Sequence, residues 1–365
     1  MFLADTGRDE QRKGDWAVDR VYLYAITDRP SSDEVDLGVL GLDGASPVRL
    51  VAREGVGCVV SDYPGREMRH LSREELVRCL LLHQRVVERV MPYHTVLPVK
   101  FGTTVEDDKA VGALLGQGHQ ALTEALNGMR DKVEVEVAAT WDVNQALEAA
   151  SWEEEVVRAR EAIARKGSPT LEDRVHLGQV VKACLDRRRD DCRKRMLGFL
   201  HPLAISVAPN ALISEDMVMN VAFLVNHSQQ RRFDEGVQEL DTLFQNEITF
   251  RVIGPLPPYS FSTVEVSCLT GQEIEEARRA LGLTGDLSHS RIRQAYRRLA
   301  AQEQRKDGCA GRASGESMAR WRRASEALLA CPDAALAGDS LFAVSIRGTG
   351  YQNVEAARFG AAMGV

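Results

Sequence analysis

No apolar run in this 365-residue chain approaches the roughly 20 residues that a membrane-spanning helix needs, which excludes a helical anchor of that kind within it. The opening stretch, MFLADTGRDEQRKGDW, is polar and lacks the apolar core of a secretory signal. The seven cysteines, Cys58, Cys79, Cys184, Cys192, Cys268, Cys309 and Cys331, are odd in number and contain no C-x-x-C pair. No His/Cys cluster has zinc spacing, so neither a structural metal nor a disulfide framework is expected. Free thiols in a reducing compartment follow, and the chain reads as soluble and cytoplasmic. The phosphate loop G-x-x-x-x-G-K-[ST], a G-x-G-x-x-G after a strand, the G-x-S-x-G elbow and H-E-x-x-H are all missing. No catalytic, metal, cofactor or small-molecule site is therefore expected, although an active site can still assemble from distant residues.

A basic balance is missing too. The chain has 46 Lys and Arg against 53 Asp and Glu, a net charge of −7, which argues against a nucleic-acid partner. What is present is an ordinary globular composition, 44% hydrophobic and 27% charged, over a length that suits two domains and a third small module.

Residues 1–18 read as a disordered leader, and RVYLYAIT (20–27) as a buried strand. VGCVVSDY (56–63) is a second strand. SREELVRCLLLHQRVVERVM (72–91) is a helix, opened by a capping box of Ser72 with Glu75. Its buried face is expected to carry Leu76, Leu80, His83, Val87 and Val90. TVLPVKFGTT (95–104) returns as a strand, 107–129 as one helix, and KVEVEVAATWDV (132–143) alternates with the period of a strand. This order predicts an α+β domain over 19–145, ferredoxin-like, with its helices on one face of an antiparallel sheet.

A second α+β domain, 146–268, is expected to combine long charged helices at 150–165 and 171–200 with strands at 201–208, 217–225 and 247–254. Between the last two lies an amphipathic helix, 231–246, with Phe233, Val237, Leu240 and Phe244 on one face. Residues 185–200 hold six Arg and Lys interrupted by Asp186, Asp190 and Asp191; they read as a solvated helix face with i,i+4 pairs, against the alternative of a phosphate-binding patch. Residues 269–365 are expected to form a C-terminal segment with two helices over 272–335, a strand at 341–348 and a Gly/Ala-rich tail.

His83 reads as a core histidine with a satisfied hydrogen bond. His94 has the position of a general base before its strand, but no orienting partner near it in sequence. The most unusual stretch is RVIGPLPPYSF (251–261). Proline fixes φ and removes a backbone donor, so this path is stiff and cannot be helical. Gly254 supplies backbone freedom, and Tyr259 and Phe261 share a side if the chain is extended. The corner suits either a preorganised binding platform or an interdomain bend whose aromatics seal the second core.

YLYAIT (22–27), LPVKFGTT (97–104), VAFLVN (221–226) with Phe233 after it, and GPLPPYSF (254–261) occur in this order and together resemble the gas vesicle protein F/L family over about 20–266. The resemblance implies two α+β domains, the first ferredoxin-like. It also implies a non-enzymatic accessory protein of gas vesicle formation, located in the cytoplasm and at the gas vesicle. The implied partners are the very hydrophobic major shell protein and other accessory proteins, without nucleic acid or membrane. Gly254, Pro255, Leu256, Pro257, Pro258, Tyr259 and Phe261 are the candidate partner-binding residues; Leu256 stands where the family is often aromatic.

LGLTGDLSHSRIRQAYRRLA (281–300) and MARWRRASEALLACPDA (318–334) resemble helices of a J-domain, the module that engages Hsp70. The His-Pro-Asp such a module needs is missing: Gln304, Arg305 and Lys306, followed by Asp307, stand there. The segment is read as a degenerate docking module or a basic helical hairpin. A cochaperone, and an enzyme using His94, are the alternative functions.

Overall fold

The computed structural model describes residues 20–28, 38, 40–63, 68–245, 247–269, 271–285, 287–306, 313–329, 341–348 and 351–352. The expected leader at 1–18 and the tail beyond 352 lie outside them, as does Asp307.

The chain divides into two units, one of Met1–Arg130 with Ser262–Arg347, the other of Asp131–Phe261 with Gly348–Val365. The α+β class is as expected; the division is not. The boundaries anticipated at 145 and 268 fall inside the second unit and inside the C-terminal part of the first.

The first unit is built on β1 (Arg20–Asp28), whose run of apolar and aromatic residues is buried on both sides. It pairs antiparallel with β3 (Val56–Tyr63) and β4 (Val96–Pro98), and β2 (Arg49–Arg53) lies beyond β3. A short β5 (Thr104–Val105) also joins β1. Alternation sends Tyr22 and Tyr24 toward α1 (Arg73–Val90), where their rings meet His83. Val21 and Leu23 turn the other way, into a cluster with Leu114, Leu122 and Leu126 of α2 (Asp108–Gln117) and α3 (His119–Met129). Helices thus cover both faces of this sheet, not one.

The Ser72–Glu75 capping box is present, with Ser72 N–H donating to Glu75 Oε2 at 2.7 Å and Glu75 N–H to Ser72 Oγ at 3.2 Å. The buried face of α1 is rotated from the one expected. Cys79, His83, Val86, Val87 and Val90 are buried, whereas Leu80 is 47% exposed beside exposed Val77 and Leu81. His83 is buried as expected, against the rings of Tyr22 and Tyr24, and Cys79 takes a buried place on that face instead of Leu80. The helix expected over 107–129 breaks at Gly118, where a Cβ would lie 2.8 Å from Val344 Cγ2. That close approach comes from β11 (Leu341–Arg347), a strand from the far end of the chain.

β10 (Thr263–Leu269) and β11 (Leu341–Arg347) pair antiparallel along their whole length, and Val264 and Phe342 enter the first unit's core. Between them, among the described residues, lie three helices where two were expected: α8 (Gly271–Leu281), α9 (His289–Lys306) and α10 (Ala313–Leu329). They share a cluster that includes Ile274, Leu281, Ile292 and Leu328.

The second unit holds β6 (Lys132–Trp141), followed by α4 (Val143–Ser151), α5 (Glu154–Arg165) and the 30-residue α6 (Leu171–Leu200). Then come β7 (Ser206–Pro209), β8 (Met217–Asn226), α7 (Gln230–Phe244), β9 (Ile248–Leu256) and, from the chain's end, β12 (Tyr351–Gln352). The sheet order is β12-β7-β8-β6-β9. β6, expected to close the first sheet, is an inner strand of the second. Its Val135, Val137, Ala139 and Trp141 pack with Met196 and Leu200 of α6 and with Phe233, Val237, Leu240 and Phe244 of α7, the four residues anticipated.

Candidate partner-binding site

The proline corner begins inside β9. Glu134 of β6 faces Leu256, but Glu136 faces Ile253, so Gly254 and Pro255 together stand opposite Val135. This is a β-bulge, a place where an edge strand tolerates proline because a ladder bond is already lost. Gly254 has φ +156°, its bond to Pro255 is cis, and a Cβ on it would lie 3.1 Å from Glu134 O. Only glycine fits that approach without a shift.

After Leu256 the chain does not continue as a strand. Tyr259 N–H donates to Pro257 O at 2.7 Å and Phe261 N–H to Pro258 O at 3.1 Å, so residues 259–261 form a turn. The expectation that Tyr259 and Phe261 share a side of an extended strand therefore does not hold. Of the seven candidate residues, Pro257, Pro258 and Phe261 are buried, Leu256 and Tyr259 half-buried, and only Gly254 and Pro255 exposed. The chain leaves the second unit after Phe261.

What anchors the turn is a residue the sequence did not single out. Glu134 is 1% exposed and accepts from Ser260 N–H and Ser260 Oγ–H, each at 2.8 Å. Burial pushes its carboxyl up to about 7, against the opposing pull of the Ser260 hydrogen bonds. Alternation in KVEVEV places Glu134 and Glu136 on the face opposite Val135 and Val137. Nothing local says which of the two a serine 126 residues away will cover.

Ahead of the bulge, β9 pairs only with β6 among the described residues. From Ile248 to Ile253 it is an open edge, and the bulge with its prolines ends that edge. α7 covers the strand incompletely. Val135, Val237, Phe250 and Val252 floor a groove of about 450 Å³ beside it, with Asp234 and Asp241 of α7 on its rim. Val252 is 42% exposed. Burial raises the Asp234 carboxyl above its ordinary value. Asp234 and Asp241 have no ion-pair partner among the described residues.

The other candidates resolve into structure. Tyr22 Oη accepts from Gly102 N–H at 3.0 Å and shares a hydrogen bond with His83 Nδ1 at 3.0 Å. Burial lowers the His83 imidazole to about 4, so the ring is neutral; it lies inside the core as expected, hydrogen-bonded through Nδ1 but with no partner at Nε2 among the described residues. His94 Nδ1 is 3.8 Å from Asp28 Oδ1, too far for a hydrogen bond, and that oxygen accepts from Thr95 N–H at 2.9 Å. Five of the six cations in the basic stretch of α6 have carboxylate partners, and the sixth, Arg195, lies over the Phe244 ring at 4.9 Å. Arg187 forks onto Glu155 at 3.0 and 2.7 Å, Arg188 reaches Glu247, Arg189 pairs with Asp186, Arg193 with Asp190 and Lys194 with Asp191. That leaves no free phosphate-binding patch among these residues. Among the described residues no cluster of three or more His, Cys, Asp or Glu could hold a metal ion, and no helix is long and apolar enough to cross a membrane.

Known proteins place this architecture. The chain is similar to gas vesicle protein F of a Streptomyces species, 32% identical over 244 residues, covering 66% of this chain and 98% of the relative. It is also similar in structure to crystallised gas vesicle protein GvpF from an Anabaena species, with TM-score 0.57 and 26% identity over 66% of this chain and 97% of the other. The corresponding protein from Microcystis aeruginosa gives TM-score 0.54 and 27% identity over 66% and 98%. The family described as "Gas vesicle synthesis protein GvpL/GvpF" matches residues 20–263, and the chain belongs to that family.

Proposed function

We propose that this protein is a non-catalytic, cytoplasmic accessory factor of gas vesicle formation that holds the hydrophobic major shell protein, and other accessory proteins, at the open edge of β9. Membership of the family supports a part in gas vesicle formation. The observation that supports the binding mode is an edge strand, Ile248–Ile253, that is paired on one side only and runs beside an apolar groove. An incoming strand gains main-chain hydrogen bonds from the edge and places alternate side chains over Val135, Phe250 and Val252. Each large aliphatic side chain buried there contributes about 1.5–3 kcal/mol before association costs.

The corner acts on this edge in two ways. Pro255 and the bulge stop pairing beyond Ile253, which limits runaway sheet growth at an exposed edge. The bond from Ser260 to buried Glu134 holds the turn against the sheet, so the edge has one length and one shape. The exposed part of the candidate set, Gly254 and Pro255, marks the end of the docking strip, and the buried part fixes it.

The test is co-expression with the major shell protein and affinity capture of this chain from soluble lysate. Val252→Glu adds a third negative charge beside Asp234 and Asp241. It is expected to lower shell-protein capture about thirtyfold, the equivalent of about 2 kcal/mol. Capture by Val252→Glu equal to wild type would remove the β9 edge as the site. No capture by wild type would remove direct shell-protein binding.

A further inference from the structure

We propose that the outer face of α9 is a docking surface for an acidic, amphipathic helix of a partner polypeptide. α9 turns Ile292, Ala295, Tyr296 and Leu299 into the cluster it shares with α8 and α10. The spacing i, i+3, i+4, i+7 fixes that side, and leaves Ser290, Arg293, Gln294 and Arg297 on the opposite one. Those four and Arg298 line one shallow depression. The three arginines are exposed and make no hydrogen bond or ion pair among the described residues.

The comparison with α6 gives this weight. Both helices are rich in arginine. On α6, Arg187, Arg188, Arg189 and Arg193 are matched by carboxylates of the same helix or by Glu155 and Glu247. From His289 to Leu329 there are ten Lys and Arg against four Asp and Glu, and exposed Arg320, Arg322 and Arg323 of α10 are likewise unmatched among the described residues. Like charges one turn apart, as at Arg293 and Arg297, repel and weaken a helix slightly. An anionic partner turns that repulsion into attraction.

Two features choose a polypeptide as that partner. Nine of the ten cations are arginine, whose planar fork takes a carboxylate or a phosphate through two parallel hydrogen bonds. Arg293 and Arg297 repeat at i,i+4, the spacing of Glu or Asp on one face of a facing helix. A nucleic acid would need a long basic track. The rest of the chain instead holds 36 Lys and Arg against 49 Asp and Glu, which repels an extended polyanion. This face lies beyond residue 263, outside the stretch that matches the family, and is independent of the β9 edge.

The experiment is fluorescence anisotropy on the full chain with a labelled Ala-based helical peptide carrying Glu at every fourth position. The probes run beside it are the same peptide with Gln for Glu, a single-stranded RNA and phosphatidylglycerol vesicles. The Glu peptide is expected to bind at least tenfold more tightly than the Gln peptide, and to weaken as salt rises. Arg293→Glu/Arg297→Glu, and the milder Arg293→Ala/Arg297→Ala, are expected to lose binding at least tenfold with unchanged circular dichroism. Arg193→Glu on α6 is expected to leave it unchanged. Equal binding of the Glu and Gln peptides, full binding by both α9 variants, or tighter binding of RNA or vesicles than of the Glu peptide would each overturn the proposal.

Discussion

Each unit buries an ionisable side chain against an antiparallel sheet, His83 in the first and Glu134 in the second, and these two groups respond to pH in opposite senses. In the first unit it is His83, held neutral at about 4 by burial against Tyr22 and Tyr24. In the second it is Glu134, raised by burial to about 7 under Ser260. An unfolded chain binds more protons than the folded one at His83 between about 4 and 6.5, so this group adds stability as pH rises through that window. The reverse holds at Glu134. There the folded state keeps its proton up to about 7 and the unfolded state loses it near 4.5, so stability falls as pH rises between them. Each shift corresponds to roughly 3 kcal/mol. A structural histidine and a structural carboxylate are thus not equivalent fillers: one favours neutral conditions, the other mildly acidic ones.

The largest expected effect comes from removing one side of that balance. Glu134→Gln can still accept from Ser260 N–H, and it cannot titrate. Hydrogen exchange in β6 should then lose its decline in stability between about pH 4.5 and 7, a change of roughly 3 kcal/mol across the window. His83→Gln should remove the opposite slope in β1, read by the same method. If both variants change the same strand, the units do not titrate separately and the contrast fails. A smaller effect is expected from Tyr22→Phe, which leaves Gly102 N–H and His83 Nδ1 without their partner. Urea unfolding should show about 2 kcal/mol lost. The smallest is expected from Leu81→Ser on the exposed side of α1. It should change stability by less than about 0.5 kcal/mol and leave shell-protein capture intact. Lost capture there would move the binding surface from the second unit to the first.

The local elements were legible in the sequence, and their partners were not. Ser72 and Glu75 announce the start of α1, and Phe233, Val237, Leu240 and Phe244 announce the buried face of α7, because caps and helical periodicity are local. The alternation of KVEVEVAATW announces a strand, but period two carries no information about which sheet accepts it, and β6 joined the second. The break at Gly118 and the strand β11 depend on Val344, more than 200 residues downstream in the chain. The corner's stiffness was plain from its prolines. Its bulge was not, since a bulge is a register between two strands. Glu134 is the clearest loss: a carboxylate in an alternating strand looks solvated until Ser260 folds over it.

The most direct measurement is amide hydrogen exchange of the full chain, alone and with the co-purified major shell protein. Docking at the β9 edge predicts new protection at Thr249–Ile253, with little change in α1. Protection absent from those amides while the shell protein remains bound would contradict it.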